Sequence, residues 1–363
     1  MKITEITLGI GGGGGVENLV RDLSLSFAKA GNQVTVGASR ISLPGLDIRE
    51  NSRGQWNGLR IARIKKYNLP VASIKSFTSN GLKMLGGSPS DVIHAHSLPS
   101  PGYLGRELKT RTGTPLVVTL HGGEVNILSK RPVFKALNRT VLGDADAVVA
   151  VSKPLAMATK EVLGVKAQII QNGVDTKRFY PSGAKKDLDI VYAGMLRPEK
   201  GLDVLLDALE ALGPEVRVGL AGTGPLEAWV RQEISRRRLG RRVQMLGLVG
   251  NDAMPGLLNR AKVFVLPSLS EGMSISLLEA MSCGTVPIVT DVGGNREVVR
   301  GGRDGSVVAA SDPESLAEAV SNMLLDKPDH LKMSRSARER VVKCYGLERT
   351  VGSYMELFEG LAK

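Results

Sequence analysis

The chain has 363 residues, 42% of them hydrophobic, which is enough for two globular domains with substantial cores. Only Cys283 and Cys344 are cysteines, which argues against a disulfide framework and a cysteine-rich metal site and favours a reducing compartment. The start of the chain has no charged segment followed by a long apolar one, and no run approaches the ~20 apolar residues of a membrane span. We therefore expect a cytoplasmic protein without a signal peptide or transmembrane helix.

The net charge of +12 is unevenly distributed along the sequence. Residues 1–186 contain 26 basic and 12 acidic side chains, whereas the remainder contains 22 and 24. A basic first half indicates an anionic partner, which could be a membrane surface, a phosphorylated acceptor or a nucleic acid. Solubility charge scattered over a surface is the alternative. Aromatic residues make up only 4% of the chain, which leaves little for base stacking, so we expect no nucleic acid.

Short apolar runs alternate with amphipathic stretches along both halves of the chain. This alternation predicts two α/β domains, each a doubly wound, Rossmann-like parallel sheet. The turn-rich segment 171–187 separates them, so we place the domains at residues 1–180 and 181–345, with an amphipathic helix at about 346–363 that packs back on the first domain. Predicted strands are Lys2–Ile10, Gln33–Ala38, Asp91–His96, Pro115–Leu120, Ala147–Val151, Leu188–Ala193, Val216–Ala221, Val243–Leu246, Val263–Leu266, Val286–Thr290 and Ser306–Ala309.

A run of five glycines, Gly11–Gly15, follows the first strand and precedes a predicted helix. Glycines let the backbone approach a ligand, and a helix start offers free N–H groups to an anion, so Gly14 and Gly15 are candidate binding residues. A dinucleotide site would also need an acidic residue at the end of the second strand, where the chain instead reads Gly37-Ala38-Ser39. We therefore disfavour a nicotinamide site, and a flexible turn remains the alternative.

Three of the four histidines lie at or near predicted strand ends. His121 follows a strand and precedes two glycines, so it is the candidate functional histidine. His94 and His96 share one face of a strand, but no third metal ligand is evident nearby, and we interpret them as strand residues. The sequence Asp144-Ala145-Asp146 resembles a metal-binding D-x-D motif, yet it precedes a strand rather than ending one. We interpret it as a turn and predict no metal.

Two glycine-flanked loops follow strands of the second domain. The first, Gly194–Gly201, carries Arg197 and Lys200, whose charges suit a diphosphate. A solvated basic loop is the alternative. The second loop is a tight turn that contains Gly222 and Gly224, a common pattern that carries modest weight.

The segment around Glu271 and Glu279 runs from a strand through a loop into a predicted helix that begins near Ser274. Helical side chains lean toward the helix start, so both carboxylates are expected beside its free N–H groups. Such a site suits a ligand with hydroxyls and a phosphate. Spacing alone is weak support, because Glu348 and Glu356 are also eight residues apart in a predicted exposed helix.

With these residues in view, the sequence resembles the GT-B glycosyltransferases of family four, the glycosyl group 1 type. The resemblance covers nearly the whole chain, from Lys2 to about Tyr354. The matching pieces are Gly14-Gly15-Val16-Glu17, Asp91–His96, His121-Gly122, Ser152, Asn172-Gly173-Val174-Asp175, Pro198-Glu199-Lys200-Gly201, Gly222–Pro225 and Glu271–Met281.

The resemblance implies two domains that face a cleft and a role for each candidate residue. His121 and Glu271 would contact the donor sugar, Glu279 the ribose hydroxyls and Lys200 the diphosphate. The backbone of Gly14 and Gly15 would approach the phosphate or acceptor. The family usually has Arg directly after Gly194, where this chain has Met195. Further donor-binding candidates are Arg197, Gly222 and Gly224, with backbone amides of Gly272, Met273, Ser274 and Ile275.

The activity that the resemblance implies is a retaining, metal-independent transfer of a hexose or N-acetylhexosamine. The donor would be a UDP- or GDP-sugar and the acceptor a hydroxyl of a lipid-linked or polysaccharide substrate of cell envelope synthesis, with no further cofactor. A GT-B epimerase or phosphorylase and a nicotinamide-dependent oxidoreductase are the alternatives.

Peripheral contact with an anionic membrane is a further expectation for the first domain. One candidate segment has Arg60, Arg63, Lys65 and Lys66 beside apolar Ile61, Ile64 and Tyr67. A second is the predicted helix Pro132–Leu142 with Lys135 and Arg139.

Overall fold

A computed structural model of the protein describes residues 1–67 and 70–362. The chain divides into two compact units, of which the first combines Met1–Asn172 with the segment from Glu348 onward and the second is Gly173–Leu347. Lys363, at the end of the predicted C-terminal helix, lies outside the described residues. No helix within 1–67 and 70–362 has both the length and the apolarity needed to cross a bilayer.

The first unit contains one eight-stranded sheet flanked by helices, with the strand order β3-β4-β2-β1-β5-β6-β7-β8. Neighbouring strands are parallel except β3 and β4, which form an antiparallel hairpin at the edge. The strands are β1 Lys2–Ile10, β2 Gln33–Ile41, β3 Ser52–Trp56, β4 Leu59–Arg63, β5 Val92–His96, β6 Leu116–Leu120, β7 Ala147–Ala150 and β8 Gln168–Ile169. The helices are α1 Gly15–Lys29, α2 Pro70–Leu85, α3 Ser100–Thr112, α4 Gly123–Asn126, α5 Pro132–Gly143 and α6 Lys153–Leu163.

The second unit is a six-stranded parallel sheet with the order β11-β10-β9-β12-β13-β14. Its strands are β9 Leu188–Ala193, β10 Val218–Ala221, β11 Val243–Gly247, β12 Ala261–Leu266, β13 Val286–Thr290 and β14 Ser306–Val308. The helices are α7 Leu202–Ala211, α8 Glu227–Arg236, α9 Met254–Arg260, α10 Ile275–Ser282, α11 Asn295–Val298, α12 Pro313–Leu325 and α13 Lys327–Cys344. A last helix, α14 Leu347–Leu361, belongs to the first unit except at its first residue.

The sheets have this form because their central strands are mostly apolar and are buried on both faces. All six residues of β9 are buried, as expected of a parallel strand covered by helices on each side. In the first unit α14 covers α1, and the rings of Tyr354 and Phe358 pack on Phe27 at centroid distances of 6.4 and 5.6 Å. The core of the first unit therefore needs residues from both ends of the chain.

The boundary between the units lies at Asn172 rather than at residue 180. Residues just beyond it are held by the second unit, because Arg338 of α13 donates hydrogen bonds to the carbonyl oxygens of Thr176 at 2.9 Å and Phe179 at 2.7 Å. Val174 also pairs with Gly346 in an isolated bridge.

The first segment predicted to contact a membrane needs a correction. It contains strand β4, which lies between β2 and β3 in the sheet. Ile61 and Ile64 are 1% and 0% exposed, so they belong to the core and cannot reach a lipid surface. Tyr67 is exposed, and the Lys65 ammonium lies 5.7 Å from its ring centroid.

Candidate active site

Loops that follow β9, β12 and β13 meet at the carboxyl edge of the second sheet. The amide of Leu269 donates to the carbonyl of Glu199 at 2.8 Å, and the amide of Gly294 donates to that of Gly272 at 2.9 Å. These strands are neighbours in the sheet, so their loops share one edge, where ligands of such sheets bind.

Lys200 and Glu271, which lie on two of these loops, contact each other directly. Lys200 Nζ donates to Glu271 Oε1 at 2.5 Å, and Ser268 Oγ donates to the same oxygen at 2.8 Å. The side chains of Lys200 and Glu271 are 20% and 9% exposed, so this is a largely desolvated ion pair. The side chains of two residues predicted to bind the donor therefore contact each other beside the sheet edge.

Helix α10 begins directly after this loop. Ser274 is its N-cap, and its hydroxyl accepts a hydrogen bond from the amide of Leu277 at 3.3 Å. The side chains of Met273 and Ile275 are buried in the second unit, so these two residues can offer a ligand only their backbone. Glu279 lies in the second turn of α10 and is 8% exposed.

The glycines at the ends of β9 and β10 have a packing role. A Cβ on Gly222, whose φ is +145°, would lie 1.8 Å from the carbonyl oxygen of Gly194. A Cβ on Gly224 would lie 2.5 Å from the carbonyl oxygen of Leu196. The structure thus gives Gly222 and Gly224 a reason to be glycine that does not depend on a ligand, and their donor contacts stay a prediction.

On the loop after β9, the side chain of Arg197 is more exposed than that of Lys200. The Arg197 side chain is 48% exposed, and its guanidinium lies 3.8 Å from the Glu199 carboxylate. Met195, where the family usually has Arg, is 39% exposed. Beneath them the buried Tyr192 hydroxyl donates to the Met195 carbonyl at 2.9 Å and fixes the start of the loop.

In the first unit, His121 follows β6 on a loop that a buried carboxylate holds in place. Glu124 Oε1 accepts a hydrogen bond from the backbone amide of His121 at 2.8 Å. Burial raises the pKa of Glu124, although backbone N–H groups of the loop and the Ser97 hydroxyl bond to it and oppose the rise. Gly122 has φ +119°, a conformation that only glycine adopts readily, so Glu124 and Gly122 together set the direction of His121.

His94 and His96 of β5 share the carboxylate of Glu5 on the neighbouring strand β1. His94 Nδ1 lies 3.1 Å from Glu5 Oε1, and His96 Nε2 lies 2.6 Å from Glu5 Oε2. His94 Nε2 is 2.8 Å from Thr119 Oγ1, and His96 Nδ1 is 3.3 Å from His121 Nε2. All four ring nitrogens of the two strand histidines therefore have partners.

Glu5 corrects the expectation that no third ligand lies near the two strand histidines. The three ligand atoms lie within 4.8 Å of one another, close enough for a metal ion to bridge. Their hydrogen bonds account for the same contacts, so the absence of a metal stays a prediction. Although burial raises the pKa of the Glu5 carboxyl, the two histidines lower it to about 2.

Asp144 and Asp146 lie between α5 and β7, in the turn that the sequence predicts. Asp144 pairs with Arg106, and Asp146 lies 2.6 Å from Lys109 Nζ and accepts the amide of Leu116 at 2.7 Å. Both acids therefore have basic partners that hold the turn.

The glycine run of the first unit is wrapped around an acidic side chain. Helix α1 starts at Gly15 with Gly14 as its N-cap, and Glu17 lies in its first turn. A Cβ on Gly12 would lie 2.1 Å from Glu17 Oε2, and Arg40 pairs with the same carboxylate. The space beside the run is thus filled by Glu17, and contact of Gly14 and Gly15 with a ligand stays a prediction.

Four residues that support the candidate site residues were not predicted from the sequence. They are Glu5 and Glu124 in the first unit and Tyr192 and Ser268 in the second. Glu5 sits within an apolar strand, where a buried carboxylate needs a partner, and that context is a detectable signal. Glu124 follows His121 by three residues, and its sequence context fits an exposed acidic residue as well as a buried one.

Two family matches together span most of the chain. Residues 13–178 match the family described as Glycosyltransferase Family 4, and residues 174–340 match the family described as Glycosyl transferases group 1.

Individual relatives show the same likeness. The chain is 28% identical over 301 residues to a UDP-Gal:alpha-D-GlcNAc-diphosphoundecaprenol alpha-1,3-galactosyltransferase of Escherichia coli, with 76% of this chain and 77% of that one covered. It is 29% identical over 369 residues to D-inositol 3-phosphate glycosyltransferase 2 of Catenulispora acidiphila, covering 89% and 84%. Among solved structures, the sucrose-phosphate synthase of Thermosynechococcus elongatus matches in fold with a TM-score of 0.86, 23% identity and 99% of each chain covered.

Proposed function

The chain belongs to the group 1 glycosyltransferases of the GT-B fold and uses nucleotide sugars, and from this premise we propose a narrower activity. It transfers a hexose or N-acetylhexosamine from a UDP- or GDP-sugar to a hydroxyl of a lipid-linked or polysaccharide acceptor. The anomeric configuration is retained, and no metal takes part. The protein works at the inner face of the cytoplasmic membrane in the synthesis of envelope polysaccharide.

The Lys200–Glu271 pair beside the start of α10 is the observation that carries this proposal. A sugar diphosphate offers hydroxyls to a carboxylate and an anion to an ammonium, and these two groups lie 2.5 Å apart in the second unit. Glu279, on the same short helix, supplies a second carboxylate for ribose hydroxyls.

Charge development explains why a cation at this position would accelerate the reaction. When the bond between the sugar and the diphosphate breaks, negative charge grows on the leaving phosphate oxygens. The Lys200 ammonium and the amides at the start of α10 stabilise that charge more than the charge of the bound donor. The leaving phosphate accepts the proton of the attacking hydroxyl, so the new bond forms on the face from which the diphosphate departs.

An anionic, lipid-linked acceptor fits the charge of the first half of the chain. Residues 1–186 carry a net charge of +14, from 26 basic and 12 acidic side chains. Two relatives are named for phosphate-bearing molecules, a diphosphoundecaprenol-linked sugar and inositol 3-phosphate. Phosphate groups on the acceptor would be attracted to such a surface.

The segment around α5 is the better candidate for contact with a membrane. Val133 and Ile127 are 71% and 42% exposed, and Lys130 and Lys135 help to line an adjacent cavity of about 440 Å³. Exposed apolar side chains beside lysines suit the boundary between head groups and acyl chains. Sedimentation with anionic and neutral liposomes tests the contact. Val133→Ser should weaken binding to anionic vesicles, and failure of the unaltered protein to bind either vesicle would refute it.

A donor screen followed by a transfer assay tests the activity itself. Thermal shift with UDP- and GDP-sugars should identify one stabilising donor, because a ligand that binds only the folded state raises its stability. Transfer to a diphosphate-linked lipid acceptor should persist in EDTA, and NMR of the product should show the anomeric configuration of the donor. An inverted product or loss of turnover in chelator would contradict the mechanism. Epimerised donor, or sugar 1-phosphate formed from inorganic phosphate, would instead identify an epimerase or a phosphorylase.

A further inference from the structure

The side chain of His121 is connected to Glu5 through His96. Glu5 Oε2 lies 2.6 Å from His96 Nε2, and His96 Nδ1 lies 3.3 Å from His121 Nε2. Glu5 and His96 are 0% and 1% exposed, so water does not compete for these hydrogen bonds. The direction of each bond can therefore be deduced from the donors and acceptors once the charge of each group is known.

The carboxylate of Glu5 sets the direction of the whole chain of bonds. An ionised carboxylate only accepts, so His96 Nε2 must carry the hydrogen that it shares with Glu5. The other nitrogen of a neutral His96 is then an acceptor, and His121 Nε2 must donate to it. By the same rule, Nδ1 of a neutral His121 has a lone pair and no hydrogen.

Burial of the two rings favours neutral imidazoles at this position. Burial and the neighbouring His94 lower the pKa of His96 to about 4, even though Glu5 opposes the change. Burial, followed by the imidazoles of His96 and His94, holds the pKa of His121 well below its usual range. Both rings are therefore uncharged at neutral pH.

His121 Nδ1 is the last atom of this series of hydrogen bonds, and it lacks a donor. It is shielded from solvent and has no hydrogen-bond partner among the described residues. Buried polar atoms nearly always have a partner, so an unpartnered acceptor on a candidate substrate-binding residue points to a ligand hydrogen. A hydroxyl group can supply that hydrogen, whereas a carbonyl or phosphate oxygen cannot.

We propose that Glu5 is a positioning residue that, through His96, holds His121 in the Nε2–H tautomer and presents Nδ1 as an acceptor for a ligand hydroxyl. The tautomer follows from the hydrogen bonds and the burial of side chains within the first unit, and only the identification of the ligand as a sugar rests on the proposed function. This gives the histidine pair of β5 a role other than strand packing. It also makes the site selective for a ligand group that can donate a hydrogen, such as a sugar hydroxyl.

Long-range ¹H–¹⁵N correlation spectra of the histidine side chains test the proposal directly. The chain has four histidines, and a His121→Gln spectrum identifies the signals of His121 by their loss. In the unaltered protein His121 should show a protonated Nε2 and an unprotonated Nδ1 from pH 6 to 8. A protonated Nδ1, or titration of His121 within that range, would overturn the proposal.

The Glu5→Met variant tests whether the Glu5 carboxylate sets the tautomer of His121. Methionine has a similar length but accepts no strong hydrogen bond, so His96 Nε2–H would lose its partner and the opposite direction of bonds would become favourable. His121 should then populate the Nδ1–H tautomer. If His121 stays entirely in the Nε2–H form in a variant whose amide spectrum shows a folded protein, Glu5 does not set the tautomer and the proposal is wrong.

The matched control is Tyr354→Phe, at the other side of the network. The Tyr354 hydroxyl lies 3.0 Å from Thr119 Oγ1 and does not contact Glu5, His96 or His121 through a hydrogen bond that the structure describes. The variant should keep the tautomer of His121, and a change as large as that in Glu5→Met would show that any loss of packing has this effect.

Kinetics with donor sugars that carry fluorine in place of one hydroxyl separate this proposal from the proposed function. At one ring position the substitution should lower kcat/KM about tenfold in the unaltered enzyme and much less in Glu5→Met, because the acceptor is already lost there. Equal losses in both enzymes would refute the role of Glu5 while leaving the transferase intact. Absence of transfer to any acceptor, with the expected tautomer in the spectra, would instead refute the proposed function.

Discussion

Lys200 Nζ and Glu271 Oε1 lie 2.5 Å apart, so the cation predicted to hold the diphosphate and the carboxylate predicted to hold the sugar share one hydrogen bond. The Ser268 hydroxyl donates a second hydrogen bond to the same carboxylate oxygen at 2.8 Å. The two ends of a bound donor are therefore coupled through a single contact, and a change at one residue alters the setting of the other.

Lys200→Ala should weaken binding of a nucleoside diphosphate by roughly 10- to 100-fold, because hydrogen bonds to charged groups contribute about 1.5–3 kcal/mol. Binding of the nucleoside without phosphates should change little. Isothermal titration calorimetry with both ligands measures the difference. Lys262→Ala is the matched control, since Lys262 pairs with Asp189 at 2.7 Å near the opposite end of β12. Equal affinity of the diphosphate for Lys200→Ala and the unaltered protein would remove Lys200 from the site.

Glu279→Gln should weaken binding of the ribonucleotide by roughly tenfold, because a neutral amide accepts a hydroxyl hydrogen less strongly than a carboxylate does. A 2′,3′-dideoxynucleoside diphosphate lacks both hydroxyls and should bind the variant and the unaltered protein equally. Competition binding with the two nucleotides measures this. Glu356→Gln, on the exposed face of α14, is the control and should bind both as before. An equal loss for both nucleotides would mean that Glu279 acts through the fold of α10 rather than on ribose.

Gly222→Ala should destabilise the second unit by roughly 3 kcal/mol or more. The new Cβ would meet the Gly194 carbonyl oxygen at 1.8 Å, and φ of +145° is strained for any residue but glycine. Gly256→Ala in α9 is the control, because a Cβ there meets no atom within 4 Å and alanine favours a helix by roughly 0.5–1 kcal/mol. Urea unfolding followed by circular dichroism compares the two, and similar midpoints would contradict the packing role of Gly222.

The first unit should lose stability as the pH falls from 6.5 toward 4. The pKa of His96 is lowered from 6.5 to about 4 in the folded chain, so across that range the unfolded chain binds a proton that the folded chain does not. The loss for this group is on the order of 3 kcal/mol. The pKa of Glu5 is lowered from 4.5 to about 2 in the folded chain. Below pH 4.5 the unfolded chain therefore binds a second proton that the folded chain does not, and the stability of the first unit falls further.

Single-tryptophan variants make that acid sensitivity a local measurement. Trp56 lies in β3 of the first unit and Trp229 in α8 of the second. Urea unfolding of Trp229→Phe, followed by the fluorescence of Trp56, should show a falling midpoint between pH 7 and 5. Trp56→Phe reports the second unit and should show a smaller change. A midpoint for Trp56 that is constant over this range would contradict neutral burial of His96.

Most of the fold could be predicted from the sequence, because the central strands are short and mostly apolar and alternate with amphipathic helices. Strands β1, β9 and β13 have the predicted bounds, and the family and fold class are confirmed. The β3–β4 hairpin was missed although Asn57-Gly58, a typical two-residue hairpin turn, lies between its strands. Its strands are short and carry charged residues, so their alternation is weak.

The candidate site could be predicted only where motif and local structure coincide. Glu271 and Glu279 could be recognised because a strand, a loop and a capped helix follow one another in sequence. The contact of Glu5 with His94 and His96 could not, since 89 residues separate Glu5 from His94 and only the order of strands in the sheet brings them together. The sequence shows the charges of Lys65 and Lys66 directly. The burial of Ile61 depends on the β3–β4 hairpin, which the hydrophobic pattern did not predict.

Helix α14 has a consequence for the order in which the protein can fold during synthesis. The second unit is one continuous segment, Gly173–Leu347, and all of it emerges from the ribosome before α14 does. Synthesis of the first unit starts earlier, yet Phe27 stays without Tyr354 and Phe358 until α14 has been translated. The first unit is therefore completed after the second, and during elongation it exposes the apolar surface around Phe27 that α14 later covers.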